Sequence, residues 1–307
     1  MYTKMLVPLD GSKTAEKVLP HARYLAAKLK IPIELLAVID IAELAAHIPA
    51  IKARSFDTLI EEDVRSSEQY LRSVAASFRD ATVICTVEKG RPHETIIKKG
   101  DSDPAMLITM ATHGRSGLNR FLLGSVTEKV LRGAANPLLL VRATEEAKFD
   151  GEIGFNTILV PLDGSELAET ILPMAAGVAK KMDSELVVFR AYQFPYNTYA
   201  ADDGYYTAKY YDLISAVREE SKDYLENKVA QLKKLGLEKV SSLAQEGYAA
   251  DEIISMGRKI PNSLIAMCSH GRSGVRRWVL GSVTENVVRH TINPVLVMRA
   301  ADLRGLE

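Results

Sequence analysis

The chain has 307 residues, more than a single hydrophobic core usually supports, so we expect about two domains of ordinary size. Hydrophobic residues make up 47% of the sequence and charged residues 25%, proportions typical of a globular protein. The 39 basic residues balance the 39 acidic residues, which argues against binding to nucleic acid or to anionic membranes through overall charge.

Targeting segments and cysteine pairs are not indicated by the sequence. No stretch reaches the roughly 20 apolar residues of a membrane span, and the apolar run at the start is too short for a signal peptide. Cys85 and Cys268 stand singly within apolar runs, away from the spacings of zinc sites or redox pairs. We therefore expect a reduced cytoplasmic protein without membrane insertion.

Apolar runs alternate with amphipathic stretches along the first half of the chain. In chain order, the pattern predicts strand 5–9, helix 13–29, strand 33–39, helix 55–78, strand 82–87, helix 93–99, strand 105–110, helix 125–132 and strand 137–141. The alanine- and isoleucine-rich segment 41–53, with a lone His47, receives no element. Apolar strands that alternate with helices favour parallel strands covered on both faces. The prediction is an α/β fold with a doubly wound parallel sheet in each half.

The second half repeats the first. The sequence VPLDGS at 7–12 returns at 160–165, and LGSVTE at 123–128 returns at 280–285. Asn136-Pro137 near the last strand of the first half matches Asn293-Pro294 in the second. We predict tandem domains at 1–143 and 155–301, joined by the polar segment 143–154.

Each copy contains a glycine-rich loop that leads into a predicted helix. The loop runs from Gly114 to Gly124 in the first copy and from Gly271 to Gly281 in the second. Glycine lets a turn present several backbone N–H groups to an anion, and a helix N-terminus adds unpaired N–H groups and a positive dipole end. This repeated pattern indicates nucleotide binding.

The charged residues of these loops have two interpretations. The arginines could offset triphosphate charge or lie in solvent; they are Arg115, Arg120, Arg272, Arg276 and Arg277. His113 and His270 could act as acid–base groups, but no cysteine nucleophile, paired acid or second histidine accompanies them. For the histidines we expect a role in the turn or in packing.

Three predicted strands end at one rim in each copy, which is where doubly wound sheets bind ligands. The residues at these ends are Asp10, Val38 and Ala111 in the first copy and Asp163, Ala191 and Cys268 in the second. The aspartate or the serine that follows it could simply cap the next helix. Alternatively, the aspartate could bind ribose hydroxyls or help to hold a metal near phosphates.

Familiar nucleotide motifs are missing from the sequence. It contains no G-x-x-x-x-G-K-[ST], no G-x-G-x-x-G after the first strand and no kinase-type catalytic loop. The nucleotide site must be of another kind.

Over essentially its whole length the chain resembles the universal stress protein family in its tandem-domain form. The ATP-binding pattern of that family is a glycine, two residues, a second glycine, nine residues, and then Gly-Ser or Gly-Thr. Gly114 with Gly124-Ser125 matches the last two parts, as does Gly271 with Gly281-Ser282. Ala111 and Cys268 replace the opening glycine, a position that the family uses mainly through its backbone.

The resemblance implies an ATP site in each copy. The expected cofactor is ATP together with Mg²⁺. It places Pro8, Asp10, Val38, Pro161, Asp163 and Ala191 beside the ribose and adenine, and Ser125, Val126, Ser282 and Val283 at the phosphates. It also implies Rossmann-like domains whose last strands pair in an internal pseudo-dimer, and association of chains into a homo-oligomer. An unknown regulatory protein partner is compatible with it.

Three functions fit these features. The leading hypothesis is an ATP-binding stress-response protein in which nucleotide occupancy alters stability or partner binding without catalysis. A slow ATPase or phosphotransferase would need a base, and the repeated carboxylates are Asp10, Asp163, Glu128 and Glu285. The third hypothesis is an interaction scaffold without nucleotide. The tyrosine-rich segment 192–211 either packs within the protein or lines an adenine pocket or partner surface.

Overall fold

The computed structural model describes residues 2–47, 56–79, 81–112, 123–142, 153–193, 204–269 and 280–299. The chain divides into two compact units. The first contains the described residues up to Gly154 and those from Pro294 onward, and the second contains the described residues between them.

The helices and strands follow the order expected for a duplicated α/β domain. In chain order the first copy contains β1 (Met5–Pro8), α1 (Lys13–Glu16), α2 (Leu19–Leu29), β2 (Ile33–Ile39), α3 (Ile41–His47), α4 (Phe56–Ala75), β3 (Val83–Lys89), α5 (Pro92–Asp101), β4 (Leu107–Ala111), α6 (Ser125–Gly133) and β5 (Leu138–Val141). The second copy contains β6 (Thr157–Pro161), α7 (Glu166–Glu169), α8 (Leu172–Met182), β7 (Glu185–Tyr192), α9 (Gly204–Lys234), β8 (Val240–Glu246), α10 (Ala249–Lys259), β9 (Ser263–Cys268), α11 (Ser282–His290) and β10 (Val295–Met298).

Each unit is built on parallel strands. In the first unit the order is β3-β2-β1-β4-β5, with all these neighbours parallel. The second unit repeats this arrangement as β8-β7-β6-β9. The order of strands reverses beside β1 and β6, so the doubly wound prediction is confirmed.

The last strand of the chain, β10, belongs to the first unit and pairs antiparallel with β5. Leu296 lies opposite Leu139 in this pairing, and both strands are buried along their whole length. An apolar final strand left unpaired would be an exposed sheet edge, and this pairing removes that edge. The expected pairing of the two copies' last strands is therefore confirmed.

The predicted single helix 13–29 is wrong, because the structure has two helices there. α1 ends at Glu16 and α2 begins at Leu19, followed directly by Pro20. A proline has no N–H to donate to the carbonyl one turn earlier, and its ring clashes with that carbonyl, so it belongs in the first turn of a new helix. Pro173 separates α7 from α8 in the same way. The break leaves a one-turn helix shortly after Asp10 in the first copy and shortly after Asp163 in the second.

Helix α3 was not predicted from the sequence. It begins after Asp40, whose Oδ1 accepts hydrogen bonds from the backbone N–H groups of Ala42 (3.0 Å) and Glu43 (3.1 Å). An aspartate ahead of a short alanine-rich stretch is a helix start signal. That signal was available at Asp40, immediately before segment 41–53.

A buried ion-pair network distinguishes the first copy. The side chain of Glu34 on β2 is 7% exposed and accepts hydrogen bonds from Lys4 (3.0 Å), Thr86 (2.9 Å) and Lys99. Burial opposes ionisation of Glu34, but the bonds from Lys99, Lys4 and Thr86 outweigh it and hold the pKa of this carboxyl below its usual range. In the second copy apolar or neutral residues take the places of all four groups: Thr157 for Lys4, Val187 for Glu34, Leu243 for Thr86 and Met256 for Lys99.

We predict that Glu34→Gln lowers the free energy of unfolding at neutral pH by about 3 kcal/mol, because it removes the buried charge that pairs with the half-buried Lys4 and Lys99. The lowered pKa means that Glu34 stabilises the fold above the carboxyl pKa of the unfolded chain and stops doing so as pH falls. The unfolding free energy of the variant, measured with urea, should therefore change less with pH in the acid range than that of the wild-type protein. The control is Lys4→Thr/Glu34→Val/Lys99→Met, which copies the second domain at the three charged positions and should be more stable than Glu34→Gln. Equal stability of Glu34→Gln and wild type would contradict the prediction.

The buried histidine of α2 is a second acid-sensitive group. His21 is 1% exposed, and burial lowers its pKa from 6.5 to about 4, against the opposing effect of a hydrogen bond with the backbone of Lys17. The unfolded chain therefore binds a proton between these two pH values while the folded chain does not. Folding stability must fall as the pH drops through that interval.

The matched variant is His21→Met, because Met174 occupies the equivalent place in the second copy. Between pH 7 and pH 4 the variant should lose about 3 kcal/mol less unfolding free energy than wild type, the energy that corresponds to the pKa difference. Urea titrations at a series of pH values measure this difference. Parallel stability curves for the two proteins would show that His21 is not the group responsible.

Candidate functional site

Two hydrogen bonds join the end of β4 to the start of α6. The backbone N–H of Gly124 donates to the carbonyl of Thr112 (2.7 Å), and the hydroxyl of Thr127 donates to the carbonyl of Ala111 (3.0 Å). These bonds fix the N-terminus of α6 beside a strand end. We call this arrangement the strand–helix joint.

The second copy contains the same strand–helix joint. Gly281 N–H donates to the carbonyl of Ser269 (2.8 Å), and the Thr284 hydroxyl donates to the carbonyl of Cys268 (2.9 Å). The agreement between copies shows that this geometry follows from the repeated sequence. The glycine loops themselves, 113–122 and 270–279, lie outside the described residues, and with them the predicted site residues Gly114 and Gly271 and the loop histidines and arginines.

The N-terminus of α6 is suited to binding an anion. Gly124 precedes the helix with an extended backbone (φ −60°, ψ 143°), and as a glycine it has no side chain with which to cap the helix. Ser125 and Val126 are its first two residues, and N–H groups of a first turn lack partners within the helix. In the second copy Gly281 precedes Ser282 and Val283 in the same way, again without a side-chain cap. Both predicted phosphate contacts thus lie at uncapped helix N-termini.

Asp10 shapes the turn between β1 and α1. Its Oδ1 accepts a hydrogen bond from the N–H of Ser12 (2.9 Å), and the Ser12 hydroxyl caps α1 by accepting from Ala15 N–H (3.1 Å). Gly11, between them, has φ +77°, a conformation that favours glycine. The capping role considered for this motif therefore falls to the serine, while the aspartate holds the turn.

Asp163 makes the same turn in the second copy. Its Oδ1 accepts from the Ser165 N–H (2.9 Å) and from the Ser165 hydroxyl (2.6 Å), and Gly164 has φ +86°. Ser165 caps α7 by accepting from Ala168 N–H (3.2 Å). We call residues 10–12 and 163–165 the aspartate turns.

The remaining predicted residues lie at the carboxyl ends of neighbouring strands. In the first copy Pro8 ends β1, Ala111 ends β4 and Val38 is the next-to-last residue of β2. In the second copy Pro161 ends β6, Cys268 ends β9 and Ala191 is the next-to-last residue of β7. β1 lies between β2 and β4, and β6 lies between β7 and β9. The described site residues of each copy therefore share one edge of their sheet with the helix N-terminus.

Of the two residues that replace the opening glycine of the family pattern, Cys268 is the larger. It is buried, and its Sγ lies 3.2 Å from the hydroxyl oxygen of Thr170, which follows α7. Burial raises the pKa of the Cys268 thiol despite the hydrogen bond with Thr170. The group is therefore a protonated packing residue at neutral pH and a poor nucleophile.

The repeated glutamates considered as bases form ion pairs on their own helices. Glu128 accepts from Arg132 on α6 at 3.2 Å, and Glu285 accepts from Arg289 on α11 at 2.8 Å. Within the described ranges, no group of three or more His, Cys, Asp or Glu side chains is arranged to hold a metal ion. None of the helices in those ranges is long and apolar enough to cross a membrane.

A tyrosine–glutamate hydrogen bond next to each aspartate turn was not predicted. The Tyr70 hydroxyl donates to Glu16 (3.2 Å), and the Tyr224 hydroxyl donates to Glu169 (2.8 Å). The partners are 54 and 55 residues apart, so no local pattern links them. The tyrosine and the glutamate recur at equivalent places in both copies, and this repetition is the sequence signal that could have revealed the bond.

A sequence model of the universal stress protein family matches residues 1–142 and, again, residues 154–299. The chain belongs to the universal stress protein family. The resemblance seen in the sequence is therefore confirmed, and the universal stress protein domain occurs twice in tandem.

Relatives of known sequence and structure agree with this assignment. A universal stress protein of Methanocaldococcus jannaschii is 31% identical over 46% of this chain and 96% of its own length. One of Bacillus subtilis is 30% identical over 47% of this chain and 99% of its own. The crystal structure of a universal stress protein from Archaeoglobus fulgidus aligns with 98% of this chain and 99% of its own, at 25% identity and a TM-score of 0.66. The similarity thus extends over the full tandem chain.

The buried state of Cys268 has a direct chemical consequence. In single-thiol variants, Cys85 (in Cys268→Ala) should react with iodoacetamide about tenfold or more faster than Cys268 (in Cys85→Ala) at neutral pH, because Cys85 is only half-buried. Labelling rates followed by mass spectrometry measure this, and in denaturant the two rates should converge. Equal rates in the folded protein would contradict the placement of Cys268.

Proposed function

We propose that each universal stress protein domain of this chain binds ATP with Mg²⁺ at the carboxyl edge of its sheet, and that occupancy regulates a stress response through stability or partner binding. The strand–helix joint is the observation that carries this proposal. It holds an uncapped helix N-terminus beside three strand ends, and it does so in both copies.

The residues present fit an adenine nucleotide. The first-turn amides at Ser125 and Val126 would hold phosphate oxygens, as would those at Ser282 and Val283. Asp10 and Asp163 would bond the ribose hydroxyls, with Pro8, Val38, Pro161 and Ala191 beside the adenine and ribose. Gly114 and Gly271 would complete the phosphate loop, as in the ATP-binding pattern of the family. Mg²⁺ would be bound through the phosphate oxygens of ATP.

The replaced opening glycines are compatible with this site. Ala111 and Cys268 are 7% and 5% exposed, and the carbonyl of each accepts a threonine hydroxyl at the strand–helix joint. Their side chains are small and buried, and the Cys268 thiol lies against Thr170. The backbone at this position is therefore held in place without a glycine.

Regulation needs only that nucleotide binds the folded state. A ligand at 100 times its dissociation constant stabilises that state by about 2.7 kcal/mol through mass action. We therefore propose a binding module without a required catalytic step, located in the cytoplasm, homo-oligomeric and acting on a protein partner. The two ATP-binding domains are assigned to 1–143 and 155–301.

We predict that Gly124→Glu combined with Gly281→Glu abolishes ATP binding, because each glutamate places a side chain and a negative charge at a helix N-terminus that would hold phosphate. Each single variant should retain one site, so isothermal titration calorimetry should show a stoichiometry that falls from two ATP per chain to one and then to none. The matched control is Asn286→Glu, which adds the same charge at an exposed position of α11 beyond its first turn and should keep both sites. Unchanged affinity in the double variant would refute the site.

A further inference from the structure

The tyrosine–glutamate pair of the first copy connects the long helix α4 to the one-turn helix α1. Tyr70 lies on α4 and its hydroxyl donates to Oε1 of Glu16, the last residue of α1, at 3.2 Å. The other described hydrogen bond to this carboxylate comes from Lys13 on α1 itself, whose side chain is 94% exposed. Tyr70 is thus the described donor that ties Glu16 to another element.

The second copy has a stronger form of the same connection. The Tyr224 hydroxyl donates to Oε1 of Glu169 at 2.8 Å, and Nζ of Lys228 donates to Oε2 at 2.7 Å. Both donors lie on α9, and the Lys228 side chain is only 13% exposed. Arg190 of β7 stacks over the Tyr224 ring at 5.0 Å. The first copy has Val74 at the place of Lys228 and Ala37 at the place of Arg190, so among the described residues its connection between α4 and α1 depends on the tyrosine.

These glutamates are joined directly to the aspartate turns. The backbone N–H of Glu16 donates to the carbonyl of Ser12 (3.1 Å), and that of Glu169 donates to the carbonyl of Ser165 (3.2 Å). A helix of four residues cannot stabilise itself, because nucleation of a helix costs more than one turn returns. The position of α1, and with it the turn that contains Asp10, must therefore be held by contacts with neighbouring elements.

Besides burial and the bonded glutamate, the negative charge of each aspartate contributes to the pKa of the neighbouring tyrosine hydroxyl. The pKa of Tyr70 is raised by burial, then by Glu16, with a further contribution from the negative charge of Asp10. Asp163 contributes in the same direction to the pKa of Tyr224, after burial and Glu169. Both hydroxyls are therefore protonated donors at neutral pH.

We propose that Tyr70 and Tyr224 are positioning residues of the nucleotide site, which act through Glu16 and Glu169 to hold the aspartate turns and so aim Asp10 and Asp163 at the ribose hydroxyls. This inference rests on the proposed function. It assigns the two tyrosines an effect on one part of the ligand, the ribose, and none on the phosphates.

The test compares ATP with 2′,3′-dideoxy-ATP, which lacks the hydroxyls that an aspartate would bond. Calorimetry is carried out on full-length protein with one site blocked: Gly281→Glu leaves the first site and Gly124→Glu leaves the second. In the first site Tyr70→Phe should weaken ATP binding about fivefold, the loss of one ordinary hydrogen bond, and leave dideoxy-ATP binding unchanged. Tyr24→Phe, which removes a tyrosine hydroxyl on α2, is the control and should change neither affinity.

The second site provides an internal comparison. Tyr224→Phe alone should have a smaller effect than Tyr70→Phe, because Lys228 still holds Glu169. Tyr224→Phe with Lys228→Val reproduces the first copy without its tyrosine and should approach the Tyr70→Phe effect. Equal losses for ATP and dideoxy-ATP, or no loss for ATP, would overturn the positioning role. Failure of the parent proteins to bind ATP would instead refute the proposed function, and this inference with it.

Discussion

The hydrogen bonds of the strand–helix joint place the N-terminus of α6 at the carboxyl edge of the sheet. The Gly124 N–H donates to the carbonyl of Thr112, the residue that follows β4. The first turn of α6 therefore lies next to the end of this strand. The Thr127 hydroxyl, bonded to the carbonyl of Ala111, prevents the helix from rotating away. An uncapped positive helix end is thereby held against strand ends that carry Pro8 and Asp10. Without these two bonds the N-terminus of α6 would not be fixed at the sheet edge that also carries the aspartate turn.

Duplication lets each copy serve as a comparison for the other. The copies agree where the candidate site lies, in the strand–helix joint, the aspartate turn and the tyrosine–glutamate bond. They differ in the interior, where Glu34 corresponds to Val187 and His21 corresponds to Met174. The differences show that the core tolerates a change from polar to apolar groups, whereas the hydrogen bonds at the sheet edge are the same in both copies. This contrast is expected if the sheet edges of both copies have the same role.

Much of the fold follows from local sequence pattern. The predicted strand 33–39 coincides with β2, and the predicted helix 125–132 is one residue shorter than α6, because apolar periodicity and a glycine before a helix are local signals. The single helix 13–29 failed because Pro20 imposes a break that periodicity does not show. For the site, the strand-end residues were predictable, since parallel strands place their carboxyl ends together. The tyrosine–glutamate bonds were not, because they join residues more than 50 positions apart through the packing of two helices.

The measurement that tests the central claim most directly is a crystal structure of the protein with ATP and Mg²⁺. We expect a nucleotide in each copy, with phosphate oxygens on the backbone amides at Ser125 and Ser282 and ribose hydroxyls on Asp10 and Asp163. Electron density that shows both helix N-termini occupied by the protein's own side chains, or empty at saturating ATP, would contradict the account.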